Sequence, residues 1–149
     1  FENYETMWLQ VHEMLHIEKG GAEQIAGELE AYNPLIPQGS ELIATLMLEI
    51  EDPVRRAREL MQLAGVEEST YIELGDERIP GSPTEYDDRT TPEGKTSSVH
   101  WVRFSFTKEQ IAKFKNPAIP AILGVAHAAY GHMAVIQGDV RGELVKDFA

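Results

Sequence analysis

Apolar residues recur at helical spacing from the start of the chain. Tyr4, Met7, Trp8, Val11, Met14 and Leu15 form one stripe, the pattern of an amphipathic helix. The stripe predicts a helix over about Glu2 to Glu18, ended by Gly20-Gly21. A second helix is expected from about Ala22 to Tyr32, with Ile25 and Leu29 inward, before Asn33-Pro34 stops it. The period then changes. "ELIATLMLEI" (41–50) is nearly continuous in apolar residues between Gly39 and Pro53, so it reads as a buried strand. Asp52-Pro53 opens the next helix as an N-cap followed by proline at the first helical position. Val54, Ala57, Leu60, Met61 and Ala64 carry its inner face, and Gly65 closes it.

"TYIEL" and "ERI" flank Gly75-Asp76, a hairpin signal. From Pro80 to Thr96 the chain is polar and aperiodic and reads as a long surface loop. "SVHWVRFSF" (98–106) is a clear strand, and Thr107 with Gln110 spells a capping box for a short helix through Ile111 and Phe114. "AILGVAH" and "HMAVIQ" predict a second hairpin around Ala128-Ala129-Tyr130-Gly131, and a last helix covers about Val140 to Phe148.

The order strand-helix-strand-strand therefore occurs twice, at Leu42–Ile79 and Ser98–Ile136. It predicts an α+β fold with a mixed or mainly antiparallel sheet and helices on one face, on a ferredoxin-like plan. An N-terminal helical hairpin (about 2–32) packs against this body (about 41–149). With 149 residues, the chain suits one domain with its own core.

A net charge of -12 argues against phosphate-backbone binding and nucleic acid. The sequence has no cysteine, which excludes disulfides, thiolate metal sites and cysteine nucleophiles and agrees with a cytoplasmic protein. No apolar run approaches the ~18 residues of a membrane helix, and no basic-then-apolar leader opens the sequence.

Two constellations carry candidate chemistry. His12-Glu13-Met14-Leu15-His16 spells HExxH. Histidines one helical turn apart can share a zinc ion, with Glu13 as general base toward bound water. A zinc hydrolase also needs a third ligand, and no residue downstream stands out for that role. The second constellation comes from strand alternation. His100 shares a face with Val102, Phe104 and Phe106, His127 with Leu123 and Val125, and His132 with Ala134 and Ile136. A four-residue loop over Ala128–Gly131 would set His127 directly opposite His132, their Cβ atoms roughly 5 Å apart. Two imidazoles there can chelate a divalent metal such as iron or zinc, share a proton, or bind an anion when protonated. Tyr130 adds a phenol at the loop tip. Glu18, which projects back toward the apolar face of its helix, and His100 are further candidate ligands. Lys95-Thr96-Ser97 lacks the glycines and following helix of a phosphate loop.

The phrases "FENYETMW", "EML", "IEKGG", "AYNPLIPQG", "ATLMLEI", "KTSSVHWVRF" and "GVAHAAYGHMAV" together resemble the bacterial family known as domain of unknown function 3501. The resemblance covers nearly all of Phe1 to Ala149. It implies a segment preceding Phe1, because family members begin some tens of residues earlier. It brings no established activity. The genes of the family lie near rubrerythrin-like and iron–sulfur heterodisulfide-reductase-like proteins, which implies an accessory role beside an iron-dependent redox or peroxide-defence system. In the family's pattern Gln often stands at the position of His12 and Arg at that of His16, while the phrases around His100, His127, Tyr130 and His132 fit it. The histidine placement points to metal binding, and the resemblance implies an accessory protein with a rubrerythrin-like or iron–sulfur partner. A zinc hydrolase and a non-catalytic homodimer paired through a sheet edge are the alternatives.

Overall fold

The computed structural model describes residues 1–84, 91 and 93–149. Helix α1 spans Tyr4–Glu18 and α2 Ile25–Tyr32, followed by strand β1 at Glu41–Met47 and helix α3 at Pro53–Gln62. Strands β2 (Thr70–Leu74), β3 (Glu77–Pro83) and β4 (Val99–Ser105) come next. Helix α4 (Lys108–Lys115), strands β5 (Ala121–His127) and β6 (Tyr130–Val135) and helix α5 (Gly138–Leu144) complete the chain.

The helix ends follow local chemistry. Asn3 caps α1 by a reciprocal box, its side chain accepting from the Thr6 N–H at 3.0 Å while Thr6 Oγ1 accepts from the Asn3 N–H at 2.9 Å. Glu2 stays outside the helix because its N–H donates to the Ile43 carbonyl along the edge of β1. Asp52 caps α3, and the Thr107–Gln110 box caps α4 as its sequence predicts.

The six strands form one curled sheet in the order β1-β4-β3-β2-β5-β6, and every neighbouring pair is antiparallel. The strand-helix-strand-strand pattern occurs twice, as expected. Its ferredoxin-like detail has no support in this strand order. Side-chain alternation divides two cores. On the inner face Leu42, Val102, Phe104, Ile79, Ile72, Leu74 and Ala121 pack against Phe114 of α4 and Leu144 of α5. Phe106, Phe114 and Phe148 meet edge to face there, with centroids 4.9–5.7 Å apart. On the outer face Ile43 and Trp101 lie beneath Met7, Tyr32, Leu35 and Ile36 of the helical hairpin. The α1 stripe is only partly buried: Met7 and Val11 are covered, while Tyr4 and Trp8 are exposed, and so are Ile25 and Leu29 of α2.

Two expectations need correction. The polar segment does not begin at Pro80, because β3 runs on through Pro83 and pairs with β4 at Gly81–Phe104, Ser82–Arg103 and Pro83–Val102. Two prolines are tolerated there because the register sets each ring nitrogen past the end of the ladder it faces. Of the remaining loop reading, residues 85–90 and 92 lie outside the described residues. The β5–β6 loop is also shorter than expected. His127 pairs with Tyr130 across a two-residue turn of Ala128 and Ala129, and His132 pairs with Val125.

Candidate functional site

The α3–β2 connection reverses at Gly65, whose φ of +79° favours a residue without a side chain. Val66 then drops into the interior, and a short 3-10 turn carries Glu67. The Thr70 hydroxyl donates to the Glu67 carbonyl at 2.9 Å and fixes the turn. Glu67 is 9% exposed and points at β4, where His100 is 2% exposed. Glu67 Oε2 and His100 Nδ1 stand 3.6 Å apart.

The far side of the imidazole fixes which ring nitrogen carries the hydrogen. His100 Nε2 lies 2.9 Å from the Ser97 carbonyl, which can only accept, so Nε2 carries a hydrogen and donates to it. The Thr96 hydroxyl lies 3.3 Å from the same nitrogen. In the neutral ring Nδ1 therefore presents a lone pair to a carboxylate oxygen. Neither atom has another hydrogen-bond partner among the described residues. Two converging lone pairs in a dry setting are costly unless something positive lies between them. A shared proton and a cation both satisfy that demand.

The other predicted residues are distributed around this pair rather than gathered on it. Cross-strand partners share a face, so His100, His127, Tyr130 and His132 all belong to the inner face, at the same end of the sheet. His127 and His132 are not opposite one another as expected. The two-residue turn makes them diagonal neighbours, while a slip of two positions keeps both on one face. His127 is engaged at both nitrogens: the Ala129 N–H donates to Nδ1 at 3.2 Å, so Nε2–H donates to the Ala64 carbonyl at 3.1 Å. His132 and Tyr130 are exposed, with ring centroids 6.2 Å apart. Three strand spacings, about 14 Å along the sheet, separate the strands of His127 and His100. The turn from Ala64 to Glu67 touches one histidine at each end.

On α1, His12, Glu13 and His16 are all exposed. His12 Nδ1 lies 2.8 Å from the Trp8 carbonyl, and its ring stacks on Trp8 with centroids 4.0 Å apart. Glu18 accepts from the Gln24 side chain at 2.7 Å and stands on the outer-face hairpin, with the sheet between it and His127. Among the described residues no three His, Cys, Asp or Glu side chains converge as a metal site. No described helix is long and apolar enough to cross a membrane.

Sequence reasoning missed Glu67. It adjoins Glu68 in "GVEEST", and nothing in composition or spacing tells the two apart. Only the 3-10 turn buries one and leaves the other at the surface. A cleft of about 330 Å³ opens beside this end of the sheet, lined by Met47, Leu48, Arg55, Glu59, Leu63 and Tyr130.

A family model described as a protein of unknown function, DUF3501, matches residues 1–148. The chain belongs to the DUF3501 family. The crystal structure of a novel protein of unknown function from Burkholderia pseudomallei resembles it along its whole length, at 36% identity and a TM-score of 0.86. The DUF3501 chain covers 78% of that protein. No curated protein matches it.

Proposed function

We propose that this DUF3501 chain is a binding or accessory protein whose ligand is a divalent cation, iron or zinc, held between Glu67 Oε2 and His100 Nδ1. One observation carries the reading: two buried donor atoms, with no other partner among the described residues, lie 3.6 Å apart. That separation is long for a hydrogen bond. It is close to the roughly 3.4 Å spanned by two tetrahedral ligands at zinc–nitrogen and zinc–oxygen distances near 2.1 Å. The Nε2–H bond to the Ser97 carbonyl is the outer-shell support that metal-bound imidazoles generally have. With two protein ligands among the described residues, the ion would complete its coordination with water and exchange readily. That suits an accessory protein passing metal onward better than a closed structural site. Rubrerythrin-like and iron–sulfur proteins are the first partners to test by pull-down.

Calorimetric titration with zinc, and with ferrous iron under anaerobic conditions, tests the cation. Binding of about one ion per chain, lost in both Glu67→Gln and His100→Gln, is expected. Binding that survives both substitutions defeats the proposal. So does an absence of binding in wild-type protein whose nitrogen NMR spectrum shows a proton on His100 Nδ1.

A further inference from the structure

We propose that β6 is a self-association edge, pairing antiparallel with β6 of a second copy about a two-fold axis at Met133. This inference does not depend on the cation reading.

The two edges of the sheet differ. Along β1 the outward carbonyl of Ile43 is taken by the Glu2 N–H, and Gly39 is bridged to the Phe148–Ala149 segment. Along β6 all six residues are exposed, with Met133 and Val135 each at 61%. Tyr130–Val135 contains no charged residue, although natural edges are commonly guarded by charge or proline.

Backbone parity fixes how a second strand would dock. The Ile136 N–H donates to the Ala121 carbonyl. Every second residue before it, His132 included, therefore faces β5. The N–H and C=O groups of Gly131, Met133 and Val135 point to the open side. An axis through Met133 matches these outward groups to their own copies, with two hydrogen bonds in each of the pairs Gly131–Val135, Met133–Met133 and Val135–Gly131.

The side chains fit the same register. Val135 falls beside the glycine at 131 of the copy, His132 opposite Ala134, and Met133 against itself. Each bulky residue next to the axis thus meets a small one or a flexible thioether. The sequence of β6 is complementary to itself in this register, which is the requirement for an isologous interface. Elsewhere the two copies repel, at -12 each. Because the strand is uncharged, that repulsion is long-range and is screened by salt within about 10 Å at 0.1 M.

The absence of cysteine makes the test clean. Met133→Cys would carry the sole thiol of each chain. In a hydrogen-bonded antiparallel pair its Cα would lie about 5.5 Å from its copy, inside the disulfide range. Mild oxidation should cross-link Met133→Cys at least tenfold faster than Val54→Cys, whose parent residue is 79% exposed on α3. A mixture of Gly131→Cys and Val135→Cys should cross-link preferentially to one another. Sedimentation of wild type at high micromolar concentration should show dimer increasing with added salt. Met133→Lys should be monomeric with an unchanged melting temperature. Equal oxidation rates for the 133 and 54 thiols, a monomeric wild type, or a dimer that survives Met133→Lys would each overturn the proposal.

Discussion

Arg141 is a buried cation with no carboxylate partner among the described residues. Only 8% exposed on α5, its guanidinium donates to four carbonyls at the end of α4 and in the turn beyond. Nε reaches Phe114 at 2.9 Å, Nη1 reaches Ile119 at 2.8 Å, and Nη2 reaches Asn116 at 3.0 Å and Lys113 at 3.4 Å. The side chain also lies over the Phe114 ring, 5.2 Å from its centroid. It thus serves the acceptors, and the negative dipole end, that a helix C-terminus leaves over. Burial pushes its pKa down, but an arginine stays charged. Arg141→Met keeps the apolar stem over Phe114 and removes every donor, so it isolates the polar contribution. Charge-assisted hydrogen bonds net roughly 1.5–3 kcal/mol each. Crediting the two shortest at the lower figure, and the others with little because their carbonyls can turn to water, gives about 3 kcal/mol. In a domain of this size that lowers Tm by roughly 10 °C. Arg141→Lys, with one nitrogen in place of three, should fall between. Urea denaturation and calorimetry measure the loss, which should barely change with salt because the acceptors are carbonyls rather than ions. A loss under about 1 kcal/mol for Arg141→Met would refute the reasoning, since unpaired carbonyls buried with no substitute cost at least that much.

Gly81→Ala should destabilise by about 1–3 kcal/mol, because a Cβ there collides with the Thr70 hydroxyl and comes within 2.5 Å of a Val102 methyl; a wild-type melting curve would contradict this. Burial raises the pKa of Asp147 above its ordinary 3.8, so the folded state holds that proton more tightly and stability falls as pH rises through the window above 3.8. Asp147→Asn should therefore stabilise at neutral pH, with the gain vanishing on acidification; an equal gain at every pH would speak against it. The hydrogen bonds from Lys113 and Gln110 hold Glu77 below its usual 4.5, a contribution present at neutral pH and lost as pH falls through that lowered value. Glu77→Gln should thus cost a little stability at neutral pH and nothing in acid, and the cost should shrink with salt.

Local signals proved legible where one residue type dictates the backbone. The Asp52-Pro53 start of α3, the Thr107–Gln110 box and the Gly75-Asp76 hairpin all stand where the sequence puts them. Alternation also placed His100 on the core side with Val102 and Phe104. The β5–β6 turn was less readable. Ala128-Ala129 has no turn signature, and Gly131 suggested a wider loop, yet Gly131 sits inside β6 without the left-handed backbone that marks a turn glycine. The extension of β3 was hidden by its prolines, whose tolerance depends on where the neighbouring ladders stop. The His100–Glu67 pair required tertiary structure. Its two members lie on different elements, and only the turn after Gly65 brings them together.

Adjacent residues of β1 serve different interiors: Leu42 belongs to the large aromatic core and Ile43 to the small one under α1. The sheet is thus a party wall, and the hairpin leans on it through a handful of side chains. The hairpin can lift away while the aromatic core stays intact, exposing Ile43 and Trp101 and leaving His100 undisturbed on the other side. In native-state hydrogen exchange, the amides of α1 and α2 should open at lower free energy than those of β2 and β4.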